Sequence, residues 1–127
     1  MTIGNSARNV AYAYTRDPAK AKAFYGATLG FPLKSEDKFA SIYDFNGADL
    51  RIVQIPDHKP HAHPIFGWEV PDVVATVKAL KAKGVAMNVY EGMGQDDLGI
   101  WTSPDGKTKL AFFNDPDGNG LSIATHR

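Results

Sequence analysis

Three histidines, His58, His61 and His63, lie within six residues of one another, and clustered imidazoles can bind transition metals. They stand in the stretch DHKPHAHP at 57–64, where Pro60 and Pro64 oppose regular structure. The stretch is expected to be a solvated linker. A metal site is the alternative: a strand that began early would put His63 on the face of Ile65, because strand side chains alternate. Asp96 and Asp97, in GMGQDDLG, do not fit a calcium-loop spacing and are expected on a solvated loop face. His126, the penultimate residue, is expected to be exposed. The run DPDGN at 115–119 reads as a tight turn. Pro116 fixes one dihedral there, Gly118 permits a positive one, and the Asp side chains can bond nearby amides. No phosphate loop, G-x-S-x-G elbow or dinucleotide fingerprint occurs. The chain has no cysteine, so thiol nucleophiles, disulfides and cysteine-bound zinc are excluded too. Nothing among these residues nominates a general base.

Periodicity and punctuation define the elements that hold such residues. Residues 9–15 alternate as a strand, with Val10, Tyr12 and Tyr14 on one face and Ala11 and Ala13 on the other. Asp17-Pro18 then supplies an N-cap and a proline at the first helical position. Ala21, Phe24, Tyr25 and Thr28 form the buried stripe of the helix that follows, and Gly30 ends it. Strands are expected at about 33–37, 39–45 and 49–55, with Asn46-Gly47 as a hairpin turn. The pattern restarts with a strand at 65–70 and a helix opened by Pro71-Asp72, lined by Val73, Val74, Val77 and Leu80 and closed by Gly84. Further strands are expected at about 86–91, 100–102, 109–114 and 121–125.

The halves repeat with a period of 55 residues, from Asp17 to Asp72. Each is a β-α-β-β-β unit: a module at about 7–56, a linker at 57–64 and a module at about 65–126, the second lengthened by the glycine-rich stretch 92–106. One such unit leaves too much of its sheet open to be stable alone, so two should pack together. The fold class is α+β. The chain has 127 residues with 14 Lys plus Arg against 14 Asp plus Glu, a net charge of zero. That balance argues against a nucleic-acid or anionic-membrane partner. No apolar run approaches the ~20 residues of a membrane helix, and no signal-peptide h-region is visible, so a cytoplasmic protein is expected.

The segment DPAKAKAFYGATLGF, the segment FFNDPDGNGLSI and the paired modules together resemble the vicinal oxygen chelate superfamily. That superfamily includes glyoxalase I, extradiol dioxygenases, fosfomycin-resistance enzymes and bleomycin-resistance proteins, and the likeness spans essentially the whole chain. It implies two βαβββ modules whose curved mixed sheets surround a cavity, and in the metal-using members a divalent ion held there by His, Gln or Glu. The family's four ligand positions fall here on Val10, Arg51, Ile65 and Ser122. Two of these lack donor atoms, one is cationic and one is a neutral hydroxyl, a poor set for a divalent ion. No metal or other cofactor is therefore expected. The cavity face would instead carry Tyr12, Tyr14, Arg51, Glu69 and Ser122, with Trp101 as a cap or as core packing. Such aromatic walls with a few polar anchors suit a small organic molecule. Arg51 would pair an anionic group of that ligand and the tyrosines would stack on a flat one, unless Arg51 pairs with Glu69 and the tyrosines merely fill the sheet. The expected function is metal-independent small-molecule binding by a homodimer, since open strand edges invite pairing. The alternatives are a metal-dependent lyase, transferase or dioxygenase with a displaced site, and an interaction protein with a closed cavity.

Overall fold

The computed structural model describes residues 2–126. The chain divides into two compact units between Lys59 and Pro60. The first begins with one turn of helix, α1 (Ile3–Ser6), which the periodicity does not indicate because four residues carry no stripe. Strand β1 (Val10–Thr15) and helix α2 (Pro18–Lys22) follow, and α2 continues into a π-helical turn over Ala23–Thr28. Strands β2 (Leu33–Glu36), β3 (Ala40–Phe45) and β4 (Ala48–Gln54) complete the unit. The second unit runs β5 (Pro64–Val70), α3 (Val73–Ala82), β6 (Trp101–Thr102), β7 (Lys109–Asn114) and β8 (Gly120–Thr125). Among the described residues no helix is long and apolar enough to cross a membrane.

The two units share one topology. The first sheet has the order β1-β4-β3-β2 and the second β5-β8-β7-β6. In each, the first strand lies parallel to the last, and the other neighbours are antiparallel. A parallel pair cannot be joined by a tight turn, so the helix after the first strand begins the long return. Two mixed sheets in tandem, with few helices, bear out the α+β class and the repeat.

Local chemistry starts and stops the elements as the sequence suggests. The Asp17 carboxylate accepts the Lys20 N–H at 3.3 Å and the Asp72 carboxylate the Ala75 N–H at 3.0 Å, each using an amide that the first helical turn leaves without a partner. The hairpin between β3 and β4 turns on Asn46 (φ 54°) and Gly47 (φ 98°), the left-handed pair that a two-residue hairpin requires. In the first unit Ala21, Phe24 and Tyr25 bury against Ala13, Leu50 and Ile52. In the second, Val73, Val77 and Leu80 bury with Ala111, Phe113, Leu121 and Ile123, and Trp68 stacks on Phe113 at 6.3 Å. Each fully buried side chain of this size contributes roughly 1.5–3 kcal/mol.

Two expectations are corrected. The first helix is not α-helical through to Gly30: the Leu29 N–H reaches back five residues to the Phe24 carbonyl at 2.8 Å. Residues 86–91 form no strand, only a single bridge between Met87 and Phe113. The Gln95 side chain takes the positions a neighbouring strand would use. Its carbonyl accepts the Tyr90 N–H at 2.7 Å, and its amide donates to the Asn88 and Gly99 carbonyls at 2.9 and 2.8 Å.

Candidate functional site

Helices cover one face of the first sheet; the other is open and holds the sequence-derived candidates. On β1, Tyr12 and Tyr14 are 47% and 39% exposed, and Val10 beside them is 40% exposed. Their neighbours Ala13 and Thr15 are buried, as strict alternation requires. The parallel register sets Tyr12 beside Arg51 and Tyr14 beside Val53. Tyr12 and Tyr14 thus form an exposed aromatic wall rather than packing within the sheet.

Arg51 lies along that wall. Its guanidinium carbon sits 5.8 Å from the centre of the Tyr12 ring, and Nη1 donates to the Tyr12 hydroxyl at 3.3 Å. Its Nε is enclosed and has no hydrogen-bond partner among the described residues. Among the described residues of the first unit Arg51 makes no ion pair. His58, expected in a linker, has its ring 5.6 Å from that of Tyr14.

Two residues of this face escape sequence reasoning. Lys34 on β2 pairs with Asp49 on β4 at 2.7 Å, reaching past β3. The hydrogen bond from Lys34 is the main cause that holds the Asp49 carboxyl below the usual carboxylate range. Partial desolvation opposes it, and the positive charges of Lys34, Arg8 and Arg51 reinforce it. The remaining acid here, Asp44, stands opposite Asp49 and accepts the Gly47 N–H at 3.0 Å, so it serves the hairpin. The available signal was alternation across strands 33–37 and 49–55, but the strand order that joins them is not local information.

The second sheet carries the other candidates on its own open face. Glu69 is exposed on β5, and Ser122 on β8 is half-buried opposite Gly67. A Cβ at Gly67 would collide with the Ser122 hydroxyl and carbonyl, so only glycine leaves Ser122 its place. Trp101 on β6 pairs with Leu110 and is partly exposed, neither a fully buried core residue nor part of a long loop. His61, His63 and His126 are exposed. His63 precedes β5, so the early strand start that would align it with Ile65 does not occur. Asp96 is more than a solvated acid: it accepts the Leu98 and Ile100 N–H groups, both at 2.9 Å, and ties its loop. The turn 115–119 is built around Asp115, which accepts the Asp117 and Asn119 N–H groups at 2.9 Å and the Asn119 amide at 2.8 Å.

A family model described as Glyoxalase/Bleomycin resistance protein/Dioxygenase superfamily matches residues 8–123, across both sheets. The chain belongs to this superfamily. A bleomycin resistance determinant encoded on transposon Tn5 is 20% identical, with a TM-score of 0.71 over 94% of this chain and 98% of that one. A glyoxalase/bleomycin resistance protein/dioxygenase from Alicyclobacillus acidocaldarius is 21% identical, with a TM-score of 0.71 over 95% and 92% of the two chains. A glyoxalase family protein from Enterococcus faecalis is 17% identical, with a TM-score of 0.69 over 92% and 94%. At these identities the likeness is one of fold. No curated protein matches the sequence significantly.

The superfamily's metal positions can be tested against the register. The residue two beyond Val10 faces Arg51, and the residue two beyond Ile65 faces Ser122, so Arg51 and Ser122 are equivalent in the two sheets. In the first sheet Val10 brings no donor atom and Arg51 a permanent positive charge; in the second Ile65 brings none and Ser122 a neutral hydroxyl. Neither pair offers the donors that a divalent ion requires. Among the described residues no group of three or more His, Asp or Glu side chains is placed to hold one elsewhere.

Proposed function

We propose that this member of the superfamily binds a small organic molecule without a divalent ion at the family's metal positions. The ligand is flat and carries an anionic group. It lies on the open face of the first sheet, where Tyr12 and Tyr14 meet its plane and Arg51 its charge. The observation that supports this reading is the Arg51 guanidinium: held against an aromatic ring and, among the described residues of its unit, without an ion pair. A carboxylate or sulfonate can meet the charge of a guanidinium that has no counter-ion in its unit among the described residues. An aromatic face adds stacking area for a conjugated body.

The test is titration with 2-naphthoate and with its neutral counterpart 2-naphthamide. A charge-assisted hydrogen bond contributes about 1.5–3 kcal/mol, so the anion should bind roughly tenfold to a hundredfold more tightly. Arg51→Met should erase that difference while leaving the melting temperature nearly unchanged. Equal affinities for the two probes in the wild type would remove the basis of the reading.

A further inference from the structure

On the opposite side of the first sheet a groove of about 470 Å³ runs between the helix and the edge strand β2. Its walls are Ala19, Ala23, Gly26, Ala27 and Leu33 with the stem of Lys22, and Tyr43 forms its floor. None of these residues belongs to the Tyr12–Arg51 face. Tyr43 is 1% exposed, and its hydroxyl has no hydrogen-bond partner among the described residues. A Cβ on Gly26 would sit 3.7 Å from the edge of the Tyr43 ring and 4.0 Å from its hydroxyl, so the phenol points at the groove's own wall. Burial is the main reason that this phenol holds its proton more firmly than usual, and Lys22 and Glu36 are the charges it feels. It is therefore a neutral donor at neutral pH. Lys22 and Glu36 pair with each other at 2.8 Å, half exposed, and so bring no net charge to the rim. The helix widens into its π-helical turn over the residues that form this wall. Single π turns inside helices recur at binding sites.

We propose that this groove is a second binding site, for a small neutral apolar molecule that carries one hydrogen-bond acceptor. Its volume lies in the range of small-molecule pockets, roughly 300–1,000 Å³. A protein partner would need on the order of 1,000 Å² of interface, more than seven residues supply. A charged ligand would find no free counter-charge here, whereas a carbonyl would find the Tyr43 hydroxyl. The hydroxyl is enclosed, so a ligand reaches it only as the side chains around it shift; the Lys22–Glu36 pair near it is half exposed, and an ion pair of this kind resists little.

Acetophenone and ethylbenzene, alike in shape and different in the carbonyl, are suitable probes in a titration followed by amide chemical shifts. Wild-type protein should bind acetophenone about threefold to tenfold more tightly, with shifts centred on residues 19–33. Tyr43→Phe should bring the ratio to one while melting no lower than wild type, since it removes a hydroxyl that has no partner. Ala23→Leu, at an exposed wall position, should abolish binding of both probes with the circular dichroism unchanged. Equal affinities in the wild type, the same preference in Tyr43→Phe, or shifts located elsewhere would each overturn the proposal. So would an Ala23→Leu variant that turns a sedimenting dimer into a monomer, because a second copy of the chain would then be what covers the groove.

Discussion

Replacing Gly118 with valine should destabilise the second unit by about 2–4 kcal/mol, through two separable causes. Gly118 has φ 88°, in the left-handed region, where a Cβ costs roughly 1–2 kcal/mol and a β-branched residue more. A Cβ there would also lie 3.2 Å from Pro60 Cγ and 3.8 Å from Pro60 Cβ. Valine adds two methyl groups to that contact, and overpacking of this kind typically costs about 1–3 kcal/mol. The turn cannot relax freely, because Asp115, only 6% exposed, holds the amides on either side of Gly118. For a chain of this length each kcal/mol lowers the melting temperature by roughly 4 °C, so the expected drop is on the order of 8–16 °C. Thermal unfolding by circular dichroism measures it, with Gly106→Val as the reference. Gly106 has φ 77° and nothing within 4 Å of its would-be Cβ, so that variant carries the backbone strain alone and should lose about 1–3 kcal/mol less. A Gly118→Val protein melting within about 2 °C of wild type refutes the reasoning. If that variant also lost 2-naphthoate binding, the turn would have to be counted as part of a site rather than as structure.

Asp49 should make stability depend on acid. Its folded pKa lies below the unfolded value of about 3.9, so the stabilisation is complete above that pH and is lost as pH falls through the folded value. Melting curves of wild type and Asp49→Asn should therefore differ at neutral pH and converge below about pH 4; a constant gap down to pH 2 contradicts the Lys34–Asp49 assignment. Elemental analysis of untagged protein after mild dialysis should find well under one equivalent of nickel, zinc, iron or manganese. Near one equivalent, lost in His63→Ala, would instead revive a displaced metal site. A homodimer is also expected, because β2 is an edge strand with all four residues exposed. Sedimentation at micromolar concentration checks it, and a species at the chain mass of 13.8 kDa counts against it.

What the sequence determined by itself is whatever depends on neighbours a few residues away. Asp17 and Asp72 cap helices because an Asx carboxylate meets the amide three residues on, and Asn46-Gly47 turns a hairpin because both residues tolerate positive φ. The stripe of Ala21, Phe24 and Tyr25 likewise marks the buried side of its helix, and alternation puts Tyr12 and Tyr14 on one face of their strand, before any partner is known. The 55-residue repeat carried the topology, since two copies of one unit must solve the same packing problem in the same way. Tertiary structure decided the rest. Only the parallel register of β1 on β4 brings Tyr12 beside Arg51, 39 positions apart, and only the strand order lets Lys34 reach Asp49. Residues 86–91 have strand composition, yet the Gln95 side chain claims two of their backbone groups, the Tyr90 N–H and the Asn88 carbonyl. Register and side-chain competition of this kind depend on which distant groups come to lie alongside, and that is settled by the packing of whole elements rather than by any local pattern.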